Sequence, residues 1–551
     1  MLVFWIAALS LLQSSLAVYQ QPFASSLSPE IQNNDDEWDL KRPLTFNSTA
    51  NLVFATVSSL LQSDPNARYR NGHTIVPGIV RSGTLLYHGR NDSNIPTMEW
   101  VAFDPEASHI FCRLYGQSRS CWLHTFRVER PLRILYFDGS SAAKIDDGAI
   151  DSQDIFSWGE VRPDLFREEG LRILKLCEWG SKVGLDGFVR TASISEMILC
   201  DFSLLHVVSS QRLKSTPLIH VPRAASSTQN LQTPLGTFPI SADSMNYLRV
   251  HERFRQYPGL TQVQLDLTHL VSFYDNMLAP SLFTVRRGNP RLRHRLLGIT
   301  HEDILRVRSF TEEQIANVAW LSLEHPVTRR IDWSAHLHSI INSYGDTFDD
   351  CWDLINSTLS QSADERALNA FRIVESNIQR FVLYSVTPTH SGGNQSDLAW
   401  ASSVFRECAL SHTLPFTARP LTRSEKLLLS AVEGTTRELC RILTKMWAYG
   451  VHEGMSSFFD VGHASKPKNA TAFLDSWKED LGTLMSWLDW GTWMRCYENC
   501  LSIPKEFCYL PVWPFSIGNS SYREWRADDP QPRCFRKIAP FIYADDFRKD
   551  Y

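Results

Sequence analysis

The residues with the chemistry to act as ligands, bases or nucleophiles are mostly histidines and acids, and their spacing decides which reactions stay open. Three His-Glu pairs, His251-Glu252, His301-Glu302 and His452-Glu453, invite a zinc-protease reading. None has a histidine three residues after the glutamate, so the helical two-histidine ligand set is missing. His336 and His338 lie two apart on an expected helix, where side chains diverge by roughly 200° and cannot chelate one ion from one face. No GxSxG elbow, Walker loop, dinucleotide GxGxxG or CxxC occurs, which removes the easily recognised hydrolase, nucleotide-phosphate and redox classes. The segment Ser140 to Ser157 reads as a solvated loop, and its Asp146, Asp147, Asp151 and Asp154 lack a calcium-loop spacing, so no metal is assigned. What remains is His88-Gly89, where a β-prone run delivers a histidine to a glycine that lets the backbone turn or a ligand approach.

The elements around that histidine are legible in the stretch Gly83 to Phe111. Thr84 to Tyr87 is a short strand, Asn91 to Thr97 a polar connection, and Trp100 to Phe103 a second strand. Asp104-Pro105-Glu106 supplies an N-cap, a first-turn proline and a first-turn acid, so a helix should begin there and run toward Phe111.

Composition bounds the wider answer. At 551 residues, 43% hydrophobic and 21% charged, the chain is long enough for two or more domains with substantial cores. A formal charge of -5 argues against nucleic acid as the main partner. The apolar run Leu2 to Leu12, followed by Ser15-Leu-Ala17, resembles the end of a secretory leader, so residues 1–17 are expected to be a signal peptide and the mature chain secreted. No later segment reaches the roughly 20 apolar residues that a membrane span needs. Sequons at Asn47, Asn91, Asn356, Asn394, Asn469 and Asn519 agree with export and glycosylation. Eleven cysteines should mostly pair in an oxidising compartment, Cys112 with Cys121 among them, and the odd number leaves one over.

Residues 18–45 are polar and read as a flexible arm, and Asn51 to Leu61 as the first helix. Strands are expected at Trp122–Val128, Leu132–Phe137, Gly184–Arg190, Ser195–Phe202 and Leu204–Val208, with a helix over Leu165–Trp179. The fold class is therefore α+β: an α+β domain over 46–208, a linker over 209–240, a mainly α-helical domain over 241–495, and a cysteine- and aromatic-rich tail over 496–551. Helices are expected at Asp266–Met277, from Thr300, and over Trp333–Ile355, Ala363–Tyr384, Thr422–Val432, Arg437–Tyr449 and Ala472–Trp487. The run Arg286 to Arg295 is the most basic patch, either a solvated face or a dock for an anionic surface.

The α+β unit resembles ADP-ribosyltransferase-like domains. The motifs Leu85-Leu-Tyr-His-Gly89, Trp100-Val-Ala-Phe-Asp-Pro-Glu-Ala107, Leu185-Asp-Gly-Phe-Val189 and Ser195-Glu-Met-Ile-Leu199 follow one another in that family's order. The resemblance implies NAD as substrate, bound by His88, Gly89, Trp100 and Phe103. It makes His88 and Glu196 the catalytic pair, with Glu196 polarising the nicotinamide-ribose 2'-hydroxyl as oxocarbenium charge develops. The family's Ser-Thr-Ser is replaced here by Val-Ala-Phe, and Ile194 stands where a second acid is usual, which puts transfer to arginine in doubt. The acceptor would be a protein or a small molecule. In its Asp186-Gly-Phe188 strand and its tryptophan- and cysteine-containing tail, the whole chain also resembles uncharacterised secreted proteins of filamentous fungi. Two functions follow: a secreted NAD-consuming enzyme (ADP-ribosyltransferase or NAD glycohydrolase), or a secreted non-catalytic glycoprotein that binds a cell-surface or cell-wall partner.

Overall fold

The apolar runs assemble into a mixed sheet of ten strands in the order β10-β1-β5-β6-β7-β3-β2-β4-β8, with β9 also on β1. This is a computed structural model that describes residues 38–43, 48–114, 120–192, 194–214, 249–320, 323, 330–357, 361–388, 398–456, 466–496, 500, 506–510 and 531–536. The expected leader, most of the arm, and the sequons at Asn47, Asn394 and Asn519 lie outside these residues.

The strands are β1 (Thr74–Val80), β2 (Leu85–Arg90), β3 (Glu99–Ala102), β4 (Ser120–Val128), β5 (Leu132–Phe137), β6 (Gly187–Thr191), β7 (Ser195–Leu199), β8 (Leu205–Lys214), β9 (Val263–Leu265) and β10 (Val271–Ser272). Of the ladders, β5–β6 is parallel and the others are antiparallel. Buried on both faces, β1 reads as a continuous apolar run, not an alternating one. Its Pro77 has no N–H to offer, and it sits where the β10 ladder stops and the β9 ladder has not begun.

One face of the sheet carries α3 (Pro105–Leu114), α4 (Asp151–Ser157) and α5 (Glu169–Lys182), with the helix His301–Asn317 beyond them, over a core that includes Phe137, Phe156, Trp179 and Phe188. The opposite face packs against α1 (Ala50–Ser58), which the short α2 (Ser63–Arg68) follows in the chain, and against the helices Trp333–Asn356, Ala363–Ile378, Ser402–Leu410, Arg423–His452 and Ala470–Leu488. A single hydrophobic cluster runs from Val76, Phe126 and Met197 of the sheet to Leu337, Leu439 and Trp447 of the helices.

Four expectations are corrected. Of the expected linker, residues 215–240 lie outside the described residues and β8 takes in its start, running to Lys214, while β9 and β10, in the region expected to be helical, return to pair with β1. Asp266–Met277 is a 3-10 turn (Leu267–His269) followed by β10, because Val271 and Ser272 have a backbone edge on β1 to complete. The loop expected over Ser140–Ser157 contains α4, whose Ile155 and Phe156 are buried, and it carries Asp151 and Asp154 inward with them. The two helices expected around Gly434 are one, Arg423–His452, opened by a capping box between Thr422 and Glu425.

Disulfides join Cys177 to Cys200, Cys408 to Cys440, Cys496 to Cys508 and Cys500 to Cys534. Cys121 is also disulfide-bonded, while the Cys112 side chain expected to partner it lies outside the described residues. Cys351 is free and buried. Among the described residues no helix is long and apolar enough to cross a membrane.

Candidate functional site

Strand register decides which of the nominated residues can meet. Tyr87 of β2 lies opposite Ala102 of β3, and Ala102 opposite Glu196 of β7, so these three share one face. His88 follows Tyr87 and therefore points to the other face. The catalytic pair expected from the resemblance is thus divided by the sheet.

On its own face His88 is fully buried. Its Nδ1 donates to the Trp100 carbonyl at 2.8 Å, its Nε2 lies 3.4 Å from Glu99, and the Phe202 ring is 5.7 Å away. Burial works to raise the Glu99 carboxyl, but the His88 contact and Arg90 outweigh it and leave it lowered. Phe103 is buried in the core between sheet and helices. Gly89 does admit a close approach, but to protein: a Cβ there would stand 2.2 Å from the Ser108 carbonyl oxygen of α3. Trp100 is half-buried beside Ala102, Ala107, Ile194 and Val250.

Glu196 is buried in a polar network on the α4–α5 face. It pairs with Arg190 across the β6–β7 ladder and lies 3.4 Å from Lys144. Arg190 also binds Glu169 and, at 3.1 Å, Gln153, while Arg172 joins Glu169 to Asp154 with both pairs at 3.4 Å or less. Burial alone would raise the Glu169 carboxyl, yet Arg190 and Lys144 hold it far below its usual range. Asp154, where burial prevails over Arg172, is pushed up to about 6. The Glu196 carboxylate is committed to two cations, which compete with any reacting sugar for its charge.

The basic patch is divided: Arg287 and Arg293 are exposed, whereas the other three arginines are half-buried or buried. Arg295 pairs with Asp151 at 3.0 Å, Arg291 lies 3.6 Å from the Tyr69 ring centroid, and Arg286 is buried. An aromatic face and a carboxylate take up the charges of Arg291 and Arg295.

Sequence reasoning missed the polar cluster around those arginines. Tyr274 donates or accepts at 3.0 Å with His294 Nδ1, and its ring stacks on His73 at 4.5 Å. His294 Nε2 donates to the Asn289 carbonyl at 3.0 Å, so its Nδ1 accepts from the Tyr274 hydroxyl when the ring is neutral, and burial lowers its pKa to about 4. Asp138, at the end of β5, accepts from Thr74 N–H at 2.8 Å, and burial raises its carboxyl to about 7. A void of about 10 Å³ lies among Asn66, Tyr69, His73, Asp138 and Arg291, enough for one water. The available signal was the Asp138-Gly139 strand end and the alternation of arginines with His294.

A larger cavity of about 570 Å³ opens at the seam between β9 and the start of the helix Trp333–Asn356. Val57, Leu61, Leu265 and Trp333 form apolar walls, and Arg81, Asp266, Arg330 and Asp332 are its charged groups. The Cys496, Cys500 and Cys534 sulfurs gather within 4.8 Å, but all three are in disulfides, which leaves no thiolate for a metal.

Comparison with known proteins adds a partial likeness. A family model described as the YPL277C N-terminal domain matches residues 115–239. Two uncharacterized proteins of Saccharomyces cerevisiae (strain ATCC 204508 / S288c), YOR389W and YPL277C, are each 30% identical over 31% of this chain. The alignments cover 34% of YOR389W and 44% of YPL277C, so the chain spans less than half the length of either relative. No solved structure matches. The segment matched by the family model includes Glu169, Arg190 and Glu196 but not His88, Trp100 or Arg286.

Proposed function

We propose that this chain is an exported, disulfide-cross-linked binding protein that does not consume NAD, with a ligand seat in the cavity beside β9. The observation that carries the reading is the separation of His88 from Glu196 on opposite faces of the sheet. Cleavage of the nicotinamide-ribose bond needs its binding and polarising groups around one substrate, in one water-excluding pocket. Four disulfides support an oxidising compartment. The cavity falls within the roughly 300–1,000 Å³ of small-molecule sites. Its apolar walls and charged groups suit a compact molecule with an apolar body and a polar end.

Two measurements test the proposal. Purified protein should release no nicotinamide from NAD, with or without an acceptor; turnover that is lost in a folded Glu196→Gln variant would overturn the non-catalytic reading. A neutral environment-sensitive dye such as Nile red should bind at one saturable site and be expelled by Leu265→Arg. Dye binding that is absent, or unaffected by that substitution, removes the cavity as the seat.

A further inference from the structure

Buried guanidinium groups in this fold are matched to carboxylates. Arg190 meets Glu169 and Glu196, Arg172 meets Asp154 and Glu169, and Arg441 meets Glu438. Arg286 is 8% exposed and, among the described residues, has no such partner. Its Nη1 donates to the Phe273 carbonyl at 2.7 Å and its guanidinium lies 4.5 Å from the Tyr274 ring centroid, so its orientation is fixed. Nε and Nη2, which make up one edge of the guanidinium, are buried without a hydrogen-bond acceptor. That is the edge with which arginine grips a carboxylate or phosphate through two parallel bonds. Burial lowers the group to about 10, with only the Tyr274 phenol working against it. A buried cation left unmatched is costly, and a fold that neutralises its other buried arginines leaves this one to be met from outside.

Arg286 borders a cavity of about 150 Å³. Thr49 and Leu52 bring the first turn of α1 to the same cavity. That turn contains no acid, and the Thr49 side chain does not cap it, because its hydroxyl donates instead to the Tyr274 carbonyl at 2.9 Å. The positive end of the helix and the Arg286 guanidinium therefore border one space, with Arg287 exposed at its edge. Leu52 and Phe283 give it apolar walls.

We infer that this cavity binds a small organic oxyanion, a carboxylate or a phosphate ester, with Arg286 as its buried counter-ion and the start of α1 as its second positive group. The site is separate from the cavity beside β9.

Titration calorimetry on the full chain in low-chloride buffer tests the inference, with inorganic phosphate and butyrate as probes. At least one probe is expected to saturate a single site. Phosphate alone would assign the phosphate group, and butyrate alone the carboxylate. Arg286→Met should abolish that binding. Asn276→Asp, at an exposed position lining the cavity, should weaken it by about tenfold by placing a negative charge nearby. The second variant decides the matter if the first does not fold. Failure of both probes to saturate at millimolar concentration, or binding undiminished in the folded variants, overturns the inference.

Discussion

Arg190 and Glu196 are ion-paired across β6 and β7, on the face of the sheet turned away from His88. This makes the acid a structural member of a buried network. Glu196→Gln keeps its shape but leaves Arg190 and Lys144 short of a negative charge. A loss of about 3 kcal/mol of stability is expected, the scale for breaking a buried ion pair. Urea denaturation measures it; an unchanged midpoint would mean that the pair is dispensable.

Gly89→Ala should also destabilise. The added Cβ would meet the Ser108 carbonyl oxygen at 2.2 Å, so α3 must shift from β2. About 1–3 kcal/mol is the expected cost of such overpacking. Stability equal to wild type would show that α3 can give way without strain.

Asp138 should leave a signature in the pH dependence of stability. Its folded pKa is raised to about 7 from 3.8 by burial, so the folded chain holds this proton more tightly than the unfolded chain does. The contribution is complete below about pH 4 and is lost as pH rises through about 7. Relative to Asp138→Asn, wild type should lose about 1.4 kcal/mol per pH unit across that window. Parallel denaturation profiles for the two proteins would contradict the assignment.

Cysteine chemistry offers an independent check. Burial pushes the Cys351 thiol up to about 12, so iodoacetamide should leave it unmodified in native protein and label it after unfolding without reductant. Peptide mapping reads the outcome, and rapid labelling of Cys351 in the native chain would place the thiol at the surface.

The disulfide Cys408–Cys440 ties the helix Ser402–Leu410 to the middle of Arg423–His452. Replacing both residues by alanine should cost about 2–4 kcal/mol. Thermal unfolding under oxidising conditions would record a lower midpoint; no change would mean that helix packing alone fixes this pair.

The local elements were legible where the pattern was strong. Leu132–Phe137 was located to the residue, and the Thr300 cap correctly opened the helix His301–Asn317. The α+β class followed from those segments. Which face a strand presents was a different matter. His88 and Glu196 belong to strands that do not touch, and their relation passes through β3 between them, whose register no local pattern encodes. Nor did β1 and β6, buried on both faces, offer an alternation to read. Asp151, Asp154 and Arg286 looked like solvent-facing charges because their partners come from distant segments: Arg295, Arg172 and the Phe273 carbonyl. The polar cluster around Tyr274 was hidden for the same reason, with only the Asp138-Gly139 strand end and the arginines around His294 to mark it.

The two short strands on β1 also bear on how the chain is made. During synthesis β1 emerges early, while β9 and β10 follow only after the other eight strands have left the ribosome. Until then one edge of β1 is an unfilled row of backbone donors and acceptors, and the apolar face that the late helices cover stands open to water. A nascent chain stalled before Val263 is therefore expected to be the species that chaperones engage.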